Sequence, residues 1–178
     1  MIPAAFAYHR PTEIDGALAM LAEHGDEARV IAGGHSLIPM MKLRMADIGH
    51  LIDLQDIAGL KGITVADDIV TIGAMTTQHE LIVDKALAAA APIVSEAALQ
   101  IADPQVRYMG TLGGNVANGD PGNDMPGLMQ CLDAVFTVIG PDGARDIAAR
   151  DFYEGAYATA RTDDEIMTAV RFACTSGG

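Results

Sequence analysis

Apolar and polar residues alternate along this chain in short blocks, and the blocks change period several times. Ile14, Ala17, Leu18 and Leu21 recur at helical spacing, which predicts an amphipathic helix that Gly25 ends. Thr12 is the expected N-cap, with Asp15 three residues on in the manner of a capping box. Residues 6–10 read as extended and residues 28–32 as a buried strand. Gly33-Gly34 breaks that strand. Residues 36–44 predict a short helix or turn, and residues 50–54 a second strand. The first sixty residues thus read as a small βαβ-like unit. Strands follow at 62–65 and 69–72 around Asp67-Asp68, a hairpin signal. Thr76-Thr77 caps a helix to about residue 84. Residues 85–101 continue as helix that Pro92 splits, and Asp103-Pro104 stops it. A glycine-rich loop spans 111–125. Asn123 or Asp124 then caps a helix that carries Pro126 in its first turn and runs to about residue 132. Residues 134–139 form a strand, Pro141-Asp-Gly143 turns it back onto 144–147, and 165–172 is a last strand. The tail, 173–178, reads as frayed or cut.

Composition narrows the class. A chain of 178 residues, 50% hydrophobic and 20% charged, fits one globular domain or two small subdomains around a real core. The net charge of −13 would repel a nucleic acid over most of the surface. It does not exclude binding a phosphate, because backbone N–H groups need no formal charge to do so. Cys131 and Cys174 belong to no CxxC motif, so zinc or iron–sulfur ligation is not expected. Cys131, flanked by Met129 and Leu132 two and one positions away, reads as a buried small hydrophobe, and the ten methionines as core filling. The N-terminus lacks a signal-peptide pattern. The longest apolar stretch, 86–94, is too short to span a membrane and contains Pro92. A cytoplasmic protein is expected.

The candidate chemistry lies in two glycine turns. The run Thr111-Leu-Gly-Gly-Asn-Val-Ala-Asn-Gly-Asp-Pro-Gly-Asn-Asp-Met125 holds four glycines, three asparagines and two aspartates between apolar segments at 97–101 and 128–139. Glycines there let backbone N–H groups approach a ligand, and asparagine adds donors and acceptors. The upstream run Val30-Ile-Ala-Gly-Gly-His-Ser-Leu37 is similar. Two such turns can clamp one diphosphate. The same residues would also serve as a pair of capped surface turns. GxGxxG is absent, as are Ser-His-Asp order, HExxH and a P-loop. His35 is read as a hydrogen-bonding loop residue. His9, His24, His50 and His79 show no ligand spacing, so no metal site and no catalytic residue is expected. The residues alone lead to a nucleotide- or dinucleotide-binding α+β domain.

A resemblance carries the reading further. Ala32-Gly-Gly-His-Ser36, followed by Leu-Ile-Pro-Met-Met-Lys-Leu-Arg44, resembles the first FAD loop of the medium, flavin-binding subunits of molybdenum hydroxylases. Thr111-Leu-Gly-Gly-Asn115 with Ala117-Asn-Gly-Asp-Pro121 resembles their second. Tyr8-His-Arg-Pro11 and Ile101-Ala-Asp-Pro-Gln-Val-Arg107 extend the likeness. The aerobic carbon monoxide dehydrogenase branch looks nearest, and xanthine dehydrogenases and N-heterocycle hydroxylases look more distant.

The resemblance implies an α+β, two-subdomain FAD-binding fold, of the type shared with vanillyl-alcohol-oxidase-like flavoproteins. Residues 1–54 would be the smaller subdomain and 55–178 the larger, with the family's C-terminal domain absent. Ala32, Gly33, Gly34, His35, Ser36 and Leu37 would wrap the pyrophosphate and ribose. Thr111, Gly113, Gly114 and Asn115 would close over the other side, and Ile101, Ala102 and Gly110 would line the same channel. Ala117, Asn118 and Asp124 would contact the flavin–ribityl or adenosine portions. Electrons would pass from a molybdopterin large subunit through an iron–sulfur small subunit to FAD, and leave to an external acceptor, quinone or NAD. Arg161 stands where the family usually carries a leucine near the cofactor, and a buried guanidinium there would be costly. Two other readings remain at this stage. Gly-Gly-His-Ser also resembles a loop of covalent-FAD oxidases, and a domain without flavin would be a scaffold module.

Overall fold

Two sheets carry the fold in the computed structural model, which describes residues 2–175. The first is parallel. It contains β1 (Ala7–His9), β2 (Ala28–Ile31) and β3 (His50–Asp53), in the order β1-β3-β2. Between these strands run α1 (Ile14–His24) and α2 (Leu37–Lys42). The central strand is apolar on both faces, as a covered parallel strand must be. Ile52 packs with Ala17 and Leu21 of α1, while Leu51 packs with Ile31 and with Met41 of α2. Thr12 is not the N-cap of α1. Glu13 holds that position with no side-chain cap bond, one residue later than the capping-box pattern predicts.

The second sheet is antiparallel. β4 (Ile63–Ala66) and β5 (Ile69–Gly73) form the predicted hairpin, with Asp67 and Asp68 at φ +52° and +59° as a two-residue type I′ turn requires. Helices α3 (Gln78–Val83), α4 (Lys85–Ala90) and α5 (Pro92–Gln100) follow, and Pro92 splits the last two as expected. Then come α6 (Pro104–Met109), α7 (Leu112–Ala117) and α8 (Asp124–Cys131). The chain continues through β6 (Val135–Gly140), β7 (Gly143–Ala148), α9 (Ala149–Phe152), β8 (Tyr153–Gly155), β9 (Ala158–Thr159) and β10 (Ile166–Ala173). The five-stranded order is β4-β5-β10-β6-β7. Alternate residues of the central strands, Val70, Ile72, Phe136, Val138, Val170 and Phe172, face a core closed by Leu81, Leu87, Val94, Leu112, Met125 and Met129. Phe136 and Phe152 meet edge to face at 4.8 Å. The opposite face is polar: Thr137 and Arg171 both donate to Asp146.

Several expectations need correction. α5 ends at Gln100, ahead of Asp103-Pro104 as expected, but the chain beyond is not loop. The Asp103 carboxylate accepts the Val106 N–H at 2.9 Å and starts α6, with Pro104 in its first turn. Nor is 111–125 an open loop, because Thr111 caps α7 by accepting the Gly114 N–H at 3.1 Å. Cys131 is exposed, not buried. Met125 and Met129, four apart, define the inward face of α8, and Cys131 points away from it. Met41, Met75, Met125, Met129 and Met167 fill cores, but Met40, Met45 and Met109 are exposed. The expected frayed tail begins later than 173. Ala173 belongs to β10 and the Thr175 N–H donates to the Ala90 carbonyl at 2.8 Å, while 176–178 lie outside the described residues.

The two sheets are joined through a shared cluster. Ala17, Leu21, Ala28 and Ile52 of the parallel layer pack with Leu54, Ile57, Leu60, Met75 and Ile166. No helix among the described residues is long and apolar enough to cross a membrane.

Candidate functional site

The two glycine turns meet where the sheets meet. β2 ends at Ile31, and the chain reverses through Gly33 and Gly34, the latter at φ +77°. A Cβ on Gly33 would sit 2.2 Å from the Met109 carbonyl oxygen, so only glycine lets this turn approach the end of α6. A Cβ on Gly114 would sit 3.3 Å from the Ala32 Cβ, so the turns also touch from the other side. The second turn is held from below. Gly113 and Leu112 donate to the carbonyls of Ala74 and Thr76, and Gln78 donates to that of Gly110.

Between the turns opens a cleft of about 580 Å³, within the ~300–1,000 Å³ of ligand pockets. Ala32, Gly33, Gly34, His35, Ser36 and Leu37 form one wall. Gly110, Thr111, Gly113, Gly114, Asn115, Ala117 and Asn118 form the other, and Ile101 and Ala102 close one end. Asp124 does not line the cleft; its neighbour Asn123 does, and the Asn123 amide donates to the Asn115 carbonyl at 3.2 Å. Ala102 adopts φ +42°, and Arg107 holds that bend by donating to the carbonyls of Ile101 and Ala102 at 2.9 and 3.2 Å.

Backbone accounting shows what the first turn offers. Among the described residues, the N–H groups of Gly33, Gly34, His35 and Ser36 have no protein acceptor. Successive amides of this kind are an anion-binding feature. Gln78 is 1% exposed and neither its amide nitrogen nor its oxygen has a partner among the described residues. The Asn115 Oδ1 is likewise buried and unpaired. A buried amide without a partner costs about 1–3 kcal/mol, so a cleft lined by two of them is built to receive polar groups. Asn115 was legible in the sequence. Gln78 was not, because its burial follows from the packing of α3 and not from any local pattern.

Charge at the cleft is balanced locally. The Arg161 side chain is 19% exposed and donates to the carbonyls of Thr162 and Glu165 at 2.6 and 2.7 Å. Burial pushes its pKa down, and Asp163 is the first group that opposes this. The guanidinium is largely buried, and its carbonyl partners offset the cost that burial carries. Glu165 accepts two bonds from Arg145, at 2.6 and 2.8 Å, and one from the Thr162 N–H at 2.9 Å. The Arg145 hydrogen bonds lead in pulling its pKa down to about 2.

A parallel and an antiparallel layer meeting at two interlocked glycine turns, with open amides on one and unpaired side-chain amides beside the other, define a dinucleotide-binding domain. The chain belongs to the family of FAD binding domains in molybdopterin dehydrogenases, whose sequence profile matches residues 4–172. FAD is the cofactor of that family, and the residues present fit it: the amides suit a pyrophosphate and the unpaired Gln78 and Asn115 groups suit its polar neighbours. The chain is 60% identical over 171 residues to the carbon monoxide dehydrogenase medium chain of Afipia carboxidovorans, covering 96% of this chain and 59% of that one. It is 46% identical to the corresponding chain of Hydrogenophaga pseudoflava, covering 96% of this chain and 60% of that one. A solved structure of reconstituted CO dehydrogenase from Oligotropha carboxidovorans superposes with a TM-score of 0.96 at 59% identity, covering 98% of this chain and 61% of that one. The α+β flavoprotein fold expected from the sequence is therefore the fold observed. The chain spans about 60% of the length of these relatives.

Proposed function

We propose that this chain is the FAD-holding part of a medium subunit of a molybdenum hydroxylase of the carbon monoxide dehydrogenase type. In this reading it accepts electrons from an iron–sulfur small subunit beside a molybdopterin large subunit, and passes them to an external acceptor, quinone or NAD, in the cytoplasm. The single observation that carries it is the row of open amides at Gly33, Gly34, His35 and Ser36, facing Gly114 and Asn115 across the cleft. The relatives named carbon monoxide dehydrogenase medium chains support the choice of complex.

Each wall has a distinct task. Residues 1–54, as the smaller subdomain, bring the anion-binding turn, and 55–178 bring the second wall. Ala32 to Leu37 wrap the pyrophosphate. Thr111, Gly113, Gly114 and Asn115 close over it, while Ala117, Asn118 and Asn123 reach the ribityl or adenosine portions. FAD supplies the redox chemistry, and the chain binds it, orients it and limits water around it.

An absorption spectrum of the purified chain with added FAD, before and after acid precipitation, tests this. Flavin that binds and then appears in the supernatant is the expected result. Flavin retained in the pellet would assign a covalent oxidase through His35. A folded chain that takes up no flavin, even beside its partner subunits, would leave two readings, a scaffold module or an incomplete fragment, and adding the C-terminal domain its relatives carry would decide between them.

A further inference from the structure

We propose that His9, His24 and His50 form a binding site for a divalent transition metal of the zinc, cobalt or nickel class, separate from the cofactor cleft. The three residues are far apart in sequence, and the fold brings them to one place. β1 and β3 pair in parallel with Ala7 opposite His50 and His9 opposite Ile52, so His9 and His50 project from the same face of the sheet. That face is the one α1 covers, through Ala17 and Leu21 against Ile52. His24 lies three residues beyond Leu21, on the last turn of α1, so it reaches over the same edge.

The geometry is close to that of a three-nitrogen site. One ring nitrogen from each histidine lies within 4.8 Å of the other two, and His9 Nε2 stands 3.0 Å from His50 Nδ1. Metal–nitrogen bonds of about 2.0–2.1 Å place the ligand atoms of a tetrahedral zinc site roughly 3.3 Å apart. The backbone of two paired strands therefore already sets two ligands at nearly the required separation. The His24 ring stacks on His50 with centroids 3.6 Å apart and makes no hydrogen bond among the described residues. It is half-buried, and its ligand nitrogen already lies within 4.8 Å of the other two, so the site requires only that this ring close in. Imidazole favours zinc, copper, nickel and cobalt over magnesium or calcium, and a chain of net charge −13 raises the local concentration of any cation. The fourth position is left to water. Leu54, which lines the cleft, lies one residue past the end of β3 and four from His50, about 13 Å at a strand's rise.

The competing reading is that three imidazoles merely stack to cover the end of the α1–sheet interface. Chelator-stripped full chain titrated with Co²⁺, followed by visible d–d absorption and by competition with Zn²⁺, separates the two. Saturable uptake of one metal per chain, with the spectrum of a tetrahedral nitrogen site, is expected. His24→Ala should weaken it at least about tenfold, the scale on which even outer partners of metal sites register. His24→Cys should keep the metal and add a thiolate charge-transfer band, which simple stacking would not produce. His79→Ala should leave uptake unchanged. Absence of saturable Co²⁺ uptake, or uptake indifferent to both His24→Ala and His50→Asn in chains with unaltered far-UV dichroism, would overturn the proposal.

Discussion

At the scale of single residues, the glycines separate into those the site needs and those it does not. Gly33→Ala drives a Cβ against the Met109 carbonyl, so backbone must shift. It should cost about 1–3 kcal/mol and weaken flavin binding, measured by thermal melts with and without FAD. Gly127→Ala, inside α8 with nothing within 4 Å of the new methyl group, should instead stabilise by up to about 1 kcal/mol. Gln78→Met removes an unpaired buried amide. It should raise the melting temperature of the flavin-free chain, yet weaken FAD affinity about tenfold if that amide meets the cofactor. The glycines and Asn115 were legible because close approach demands a residue type that composition displays. Gln78, and the convergence of His9, His24 and His50, were not. Sequence spacing reports neighbours on one element, and these contacts are made between elements.

At the scale of elements, caps decide what the hydrophobic period leaves open. α3 has the full reciprocal arrangement: the Thr77 hydroxyl accepts the Glu80 N–H at 3.2 Å, and Glu80 accepts the Thr77 N–H at 2.7 Å. Thr77→Ala should therefore cost about 1 kcal/mol in denaturant titration, with little loss of flavin. The strands and longer helices were readable from alternation and spacing. The six-residue helices α6 and α7 were hidden, although α3, equally brief, was read from its Thr77 cap. Their cap signals, Asp103 before a proline and Thr111 before two glycines, were present but read as breaks. α9 and the β8–β9 pair, shorter still, were hidden too.

At the scale of the molecule, the wall between 161 and 165 ties the cleft to the antiparallel sheet through Glu165 and Arg145 of β7. The Glu165 carboxyl lies near pKa 2 in the folded state, below its ordinary unfolded value of about 4.3. A depressed carboxylate adds stability that is fully present above the unfolded value and is lost as pH falls through the folded one. Thermal midpoints should thus fall steeply between about pH 4.5 and 2, and Glu165→Gln should flatten that part of the profile. Because Arg145 is half-exposed, added salt should reduce the difference between the two proteins.

The placement of β10 also sets an order of events in time. It lies between β5 and β6, and its first residues, Ile166 and Met167, line the cleft. On the ribosome, the parallel unit can form as soon as its own residues emerge. The antiparallel sheet stays split into two hairpins until residues 166–173 have followed. Flavin capture is then a late event in the life of each nascent chain, and arrested chains that stop short of β10 should bind none.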